Sequence, residues 1–149
     1  MPAHANRGIT LNDARTIVQA ALEHAWSAQF PPMTVAVLDT AGVLVAFARE
    51  DGSSLLRERI ARAKAHGALH MGVGSRSLAA RAETHPAFVN SLISLAGGDL
   101  VPVPGGVLIR DENDGLIGAV GVSGHLSDDD EVCAIAAITA AGLRADPGA

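Results

Sequence analysis

The sequence predicts an α+β domain in which an antiparallel sheet is flanked by helices. Three observations carry this. Two pairs of β-prone runs, residues 34–39 with 43–49 and residues 107–109 with 116–122, each flank a short polar turn. The turn of the second pair, residues 111–115, ends in the Asp-Gly signal of a β-hairpin. The helical stretches are grouped between and outside these pairs, so the order is α-β-β-α-α-α-β-β-α and not an alternating βαβ chain.

The elements follow in order. Thr10 is a helix N-cap with Asp13 three residues on. Leu11, Ala14, Val18, Ala21, Leu22 and Ala25 then form an apolar stripe of helical period to about residue 28, where Pro31 and Pro32 stop it. After the first hairpin, Ser53 or Ser54 caps a helix to about residue 71 that aligns Leu56, Ile60, Ala63, Gly67 and Met71; Gly72 and Gly74 break it. Residues 75–83 read as a short helix. Pro86, at a first helical position, starts another that ends at Gly97 and Gly98. The last helix runs from about residue 128 to 141, with Ser127 as its cap, Asp130 at the capping-box position and Gly142 as its stop. Residues 1–8 and 145–149 read as mobile tails of a single domain spanning 1–149.

Composition narrows the function. At 149 residues the chain can bury a sizeable core, and 48% hydrophobic against 18% charged residues excludes disorder. A net charge of −5 argues against non-specific nucleic-acid binding. With three Phe, one Trp and no Tyr there is no base-stacking platform. One cysteine excludes an internal disulfide framework and a cysteine-based zinc site. No apolar run approaches a membrane span and the N-terminus lacks a signal-peptide core, so a cytoplasmic protein is expected. A mean hydropathy of +0.27 and abundant small residues favour a homo-oligomer.

The stretch 101–124, VPVPGGVLIRDENDGLIGAVGVSG, holds six glycines. Such density in strands implies that a helix or a ligand approaches the backbone closely. With the acidic SDDDE that follows, and with VAVLDTAG, REDG and IARAKA upstream, this stretch resembles the signature of the GlcG/HbpS-like family of haem-binding or haem-degrading domains. The resemblance covers about residues 33–143. It implies a profilin- or PAS-like sandwich and a haem-, tetrapyrrole- or iron-associated protein. His66 and His125 depart from the residues usual in that family.

The candidate chemistry lies in a few residues. Gly118, Gly121 and Gly124 do not form a phosphate loop, because Asp128, Asp129, Asp130 and Glu131 would repel an anion at the next helix start. Those acids read as helix-start charges, or as oxygen ligands for a hard cation, and one of Asp130 and Glu131 fits a role in fixing the preceding loop. His66 and His70, four apart on one helix face, are either an exposed or interface pair or a metal or haem site. Arg59 and Arg62 beside them favour a carboxylate such as a haem propionate. Lys64 shares the apolar stripe and needs a buried partner, with Asp51 and Asp39 as candidates, or faces a ligand cleft. Arg49 and Asp51 end a strand before a loop and are further ligand-binding candidates, Arg49 as one of the arginines that could grip a carboxylate. Arg76 and Arg110, with Gly105 and Gly106 between them in the expected cleft, form an anion grip. His125 is a loop histidine suited to ligation or acid–base work. Cys133 reads as a small buried hydrophobe.

Three functional readings stand at this point, one of them a purely structural or regulatory partner. The first of the other two is a small-ligand-binding protein, with haem as its cofactor or ligand. The second is a cofactor-independent, lyase-like enzyme acting on a small carboxylic acid, aromatic ones included. There Arg76 and Arg110 grip the carboxylate and Lys64 or a histidine such as His66 serves as acid or base.

Overall fold

Thr10 opens the first helix, α1 (Leu11–Ser27), by accepting the N–H of Asp13 at 3.1 Å, as its residue type predicts. Its apolar stripe is buried at Ala14, Ile17, Val18, Ala21, Leu22 and Ala25. Hairpin β1 (Thr34–Asp39) and β2 (Leu44–Arg49) follows. Next come α2 (Arg57–Met71), α3 (Ser75–Thr84) and α4 (Pro86–Leu95). The second hairpin is β3 (Gly106–Arg110) and β4 (Leu116–Ser123), followed by α5 (Ser127–Ala140) and β5 (Arg144–Asp146). This computed structural model describes residues 8–148. Nearly all of the N-terminal tail expected from the sequence, and Ala149, lie outside the described residues.

The strands form one antiparallel sheet in the order β2-β1-β4-β3-β5. Alternation along each strand gives it two apolar faces. Val35, Val37, Val107, Ile109, Val120 and Val122 pack against α1 and α5 in the main core. Leu38, Leu108 and Ala119 on the other face pack against Ala65 and Ala68 of α2. The fold is therefore α+β, as the hairpins predict.

Glycines set the spacing on the α2 face. A Cβ at Gly121 would lie 1.8 Å from the carbonyl oxygen of Ala61, and one at Gly106 would lie 2.2 Å from that of Lys64. The group that approaches Gly106 and Gly121 is thus the backbone of α2, while at Gly105, also expected to admit a ligand, the Lys64 ammonium would lie 2.8 Å from an added Cβ and the Val122 carbonyl oxygen 2.9 Å.

Three local expectations are corrected. Residues 144–146, expected within or beside a tail, form an edge strand on β3, and Pro147 accepts the N–H of Arg76 at 3.3 Å. Two ion pairs hold this short strand, Arg110–Asp146 at 2.9 Å and Arg144–Asp114 at 2.7 Å. Helix α2 begins after Leu56 and α5 after Leu126, neither with a side-chain cap, so neither Ser53, Ser54 nor Ser127 serves as one. Asp130, expected to cap α5, is fully buried and engaged elsewhere. No helix among the described residues is long and apolar enough to cross a membrane.

Candidate functional site

Lys64 projects from α2 toward the glycine strands and is 1% exposed. Its ammonium donates to Asp130 Oδ2 at 3.0 Å and to the Val122 carbonyl at 3.0 Å. Burial pulls its pKa below the ordinary 10.5, and Asp130 opposes that by charge and hydrogen bond. The other oxygen of Asp130 accepts the N–H of His125 at 2.9 Å, which fixes the loop before α5 as the sequence led one to expect. The expected partners of Lys64 are elsewhere. Asp39 closes its own turn by accepting the N–H groups of Ala41 and Val43 at 2.9 and 3.0 Å, and Asp51 is exposed.

Next to this pair lies a second cluster. Arg76 Nε donates to both carboxylate oxygens of Glu131 at 3.0 Å, and its Nη2 donates to Asp128 at 2.7 Å. Those hydrogen bonds, to Asp128 and then Glu131, raise the guanidinium's pKa. Arg110 donates to Asp146 at 2.9 Å and to the Asp114 carbonyl at 3.3 Å. The two arginines expected to converge on an anion are each matched to their own carboxylates. Lys64, Arg76 and Arg110 therefore brace α2, α3, α5 and β5 against the sheet. Asp130 and Glu131 are the members of this network that sequence reasoning left without a partner. Their signal was the match between SDDDE and an internal lysine on a helix stripe.

Cys133 is fully buried on α5, and burial, then Asp130 and Asp129, push its thiol up to about 12. Iodoacetamide at neutral pH is expected to leave the native thiol unmodified and to alkylate it after unfolding. Mass spectrometry showing rapid native labelling would contradict this placement.

The outward face of α2 carries a different kind of site. A cleft of about 400 Å³ is lined by Leu56, Arg59, Ile60, Ala63, His66 and Asp99, among others. Gly97 and Gly98, both at positive φ, carry the opposite rim. A second hollow of about 220 Å³ shares His66 and Asp99 with it and extends to His70. Arg59 has no ion-pair or hydrogen-bond partner among the described residues, and Arg62 has only an exposed contact to Glu58 at 3.6 Å.

The two histidines stack with ring centroids 6.0 Å apart. His66 Nε2 lies 2.9 Å from the Gly42 carbonyl, so this nitrogen carries the proton, and its buried Nδ1 has no partner. No group of three or more metal-ligating side chains occurs among the described residues, so this pair lacks the third ligand a closed metal site needs. Asp99 and the glycine rim were not singled out in the sequence, because nothing local marks the segment after α4 as one wall of a cleft. His125 stands apart, against the Phe30 ring at 4.9 Å and Asp129 at 3.4 Å.

The chain is similar in fold and in sequence to several solved structures. The PduOC–haem complex superposes with a TM-score of 0.82 at 26% identity, covering 91% of this chain and 96% of that one. HbpS superposes with a TM-score of 0.77 at 26% identity, covering 89% of each. Protein ORFY of Klebsiella pneumoniae shares the fold, with a TM-score of 0.80 at 24% identity over 90% of each chain. No curated protein matches the chain. The family model described as haem degrading protein HbpS-like matches residues 9–139, a span from the start of α1 to the end of α5, and the chain belongs to that family.

Proposed function

We propose that this protein binds haem or a related tetrapyrrole in the cleft on the outward face of α2. The observation that carries this is the alignment of Arg59, Arg62, His66 and His70 along one side of α2, where an unpaired guanidinium, apolar wall and histidine rings meet. A tetrapyrrole needs those groups: apolar contacts for the macrocycle, cations for two propionates and a nitrogen for iron. The residues present fit. Leu56, Ile60, Ala63 and Val101 supply the apolar wall. Arg59 and Arg62 would hold the carboxylates. His70, exposed and without a hydrogen-bond partner among the described residues, has nitrogens free for the metal. His66 orients beside it through its bond to Gly42. Bound iron would supply ligand binding or redox chemistry, and the chain's contribution is to position the group and balance its charge.

Membership of the haem-degrading HbpS-like family and the fold shared with the PduOC–haem complex support this reading. The lyase-like reading loses its anion grip, since Arg76 and Arg110 are matched by carboxylates and Lys64 is buried.

Haemin added to the protein is expected to give a sharpened Soret band. His70→Ala should abolish or shift it, and Arg59→Gln should weaken binding by about tenfold, the worth of one charge-assisted contact. His125→Ala should leave the spectrum unchanged. A spectrum of free haemin with the wild type, or identical titrations for all three variants, would remove this cleft from the account.

A further inference from the structure

The opposite end of the α2 face holds two arginines that no carboxylate matches. Thr34 at the start of β1 stands opposite Arg49 of β2 on one side and Ser123 of β4 on the other. Residues in register across antiparallel strands project from the same face, so Arg49, Thr34 and Ser123 form one row at the sheet's end. Arg57, the first residue of α2, reaches down onto this row and donates to Ser123 Oγ at 3.1 Å. Arg49 donates to the Ser53 carbonyl. Neither guanidinium has an ion pair among the described residues, although each carries five donors. The carboxylate next in sequence, that of Glu50, is occupied by Trp26 Nε1 and the Met33 N–H, both at 2.8 Å.

Between the two arginines lies a hydroxyl in need of a partner. Thr34 is fully buried and its Oγ1 makes no hydrogen bond. A buried hydroxyl left unpaired costs free energy, and such groups usually meet a water or an ion. The positive field is also felt nearby, since Arg57 is one of the charges that lowers the pKa of Lys64.

We propose that Arg49, Arg57, Thr34 and Ser123 form a binding site for a small oxyanion, a carboxylate or a phosphate, at the sheet end beneath the start of α2. The guanidiniums supply planar, paired donors and the hydroxyls supply two more, a set that suits an anion with several oxygens. It is chemically separate from the cleft on the outer side of α2, which uses Arg59 and Arg62.

The test uses the full chain, titrated with inorganic phosphate and separately with acetate, followed by calorimetry and by the melting temperature. At least one anion is expected to bind saturably and raise the melting temperature. Phosphate alone would mark a phosphate-bearing ligand, and acetate a carboxylate. Arg57→Lys keeps the charge but loses the fork, and Arg49→Gln loses the charge; each should weaken the anion by about tenfold or more. Thr34→Val should raise the melting temperature without anion, by removing the orphaned hydroxyl, and shrink the anion's increment. Arg15→Gln, on α1, controls for net charge and should match the wild type. Absence of saturable binding by either anion, or an unchanged affinity in both arginine variants, would overturn the site. So would an undiminished increment in Thr34→Val.

Discussion

Replacing Gly121 by alanine is expected to cost about 3 kcal/mol or more, at or above the top of the usual range for overpacking. The reason is the neighbour. The added Cβ would meet the Ala61 carbonyl oxygen at 1.8 Å and the Ala65 nitrogen at 3.2 Å. Both are backbone atoms of α2, so no side-chain rotation relieves the clash. The helix would have to lift from β1, β3 and β4 together, and with it Ala65 and Ala68 would leave their contacts with Leu38, Leu108 and Ala119. Gly97→Ala is the comparison. Nothing lies within 4 Å of a Cβ there, and only its φ of +64° opposes the change, a strain of about 1–2 kcal/mol. Urea unfolding of the two variants checks the contrast. Equal stabilities would mean that α2 does not rest directly on the sheet.

That contrast also shows where the sequence was legible. Period-2 and period-3.6 patterns disclose the hairpins and helices because each element buries one face, and the two faces of the sheet follow from the same alternation. The glycine row discloses a close approach, yet its spacing is the same whether a helix or a ligand arrives. Strand β5 was not legible: Arg144, Ala145 and Asp146 carry no strand pattern and are held by ion pairs to the second hairpin. Helix caps failed for a related reason. Ser53, near the start of α2, turns its hydroxyl to the Met33 carbonyl, and Asp130 in α5 turns inward to Lys64.

The site residues divide the same way. His66, His70, Arg59 and Arg62 share a helix face by spacing alone, so their grouping was legible. The partners of Arg76, Arg110 and Lys64 lie 55, 36 and 66 residues away in Glu131, Asp146 and Asp130. Pairing over such separations depends on how the sheet orders its strands, which no local pattern encodes.

The pairing of Lys64 with Asp130 leads to the other large effect. Asp130→Asn keeps the shape of the side chain but leaves the Lys64 ammonium buried without its counter-charge. Breaking a buried pair from one side costs about 3–5 kcal/mol. Lys64→Met strands the Asp130 carboxylate instead, with the His125 N–H as its remaining partner, and should cost a similar amount. The double variant Lys64→Met with Asp130→Leu removes both charges, and its stability should return most of the way to wild type, since apolar replacement of a buried pair is often neutral or better. The two single losses would then be strongly non-additive.

The pH response has a definite sign. Burial holds the Lys64 pKa below 10.5 in the folded chain, while the unfolded chain keeps the ordinary value. Between those values the unfolded state binds more protons, so stability rises with pH there and falls as pH drops through the window. Asp130→Asn removes the charge and hydrogen bond that raise the pKa, which widens the window downward. Its stability should therefore climb more steeply than that of the wild type between neutral pH and about pH 9, by at most about 1.4 kcal/mol per pH unit for one proton. Urea unfolding of the four proteins at both pH values decides the matter. Additive losses, or an Asp130→Asn variant whose stability ignores pH, would show that Lys64 escapes to solvent and that the pair does not hold α2 to α5.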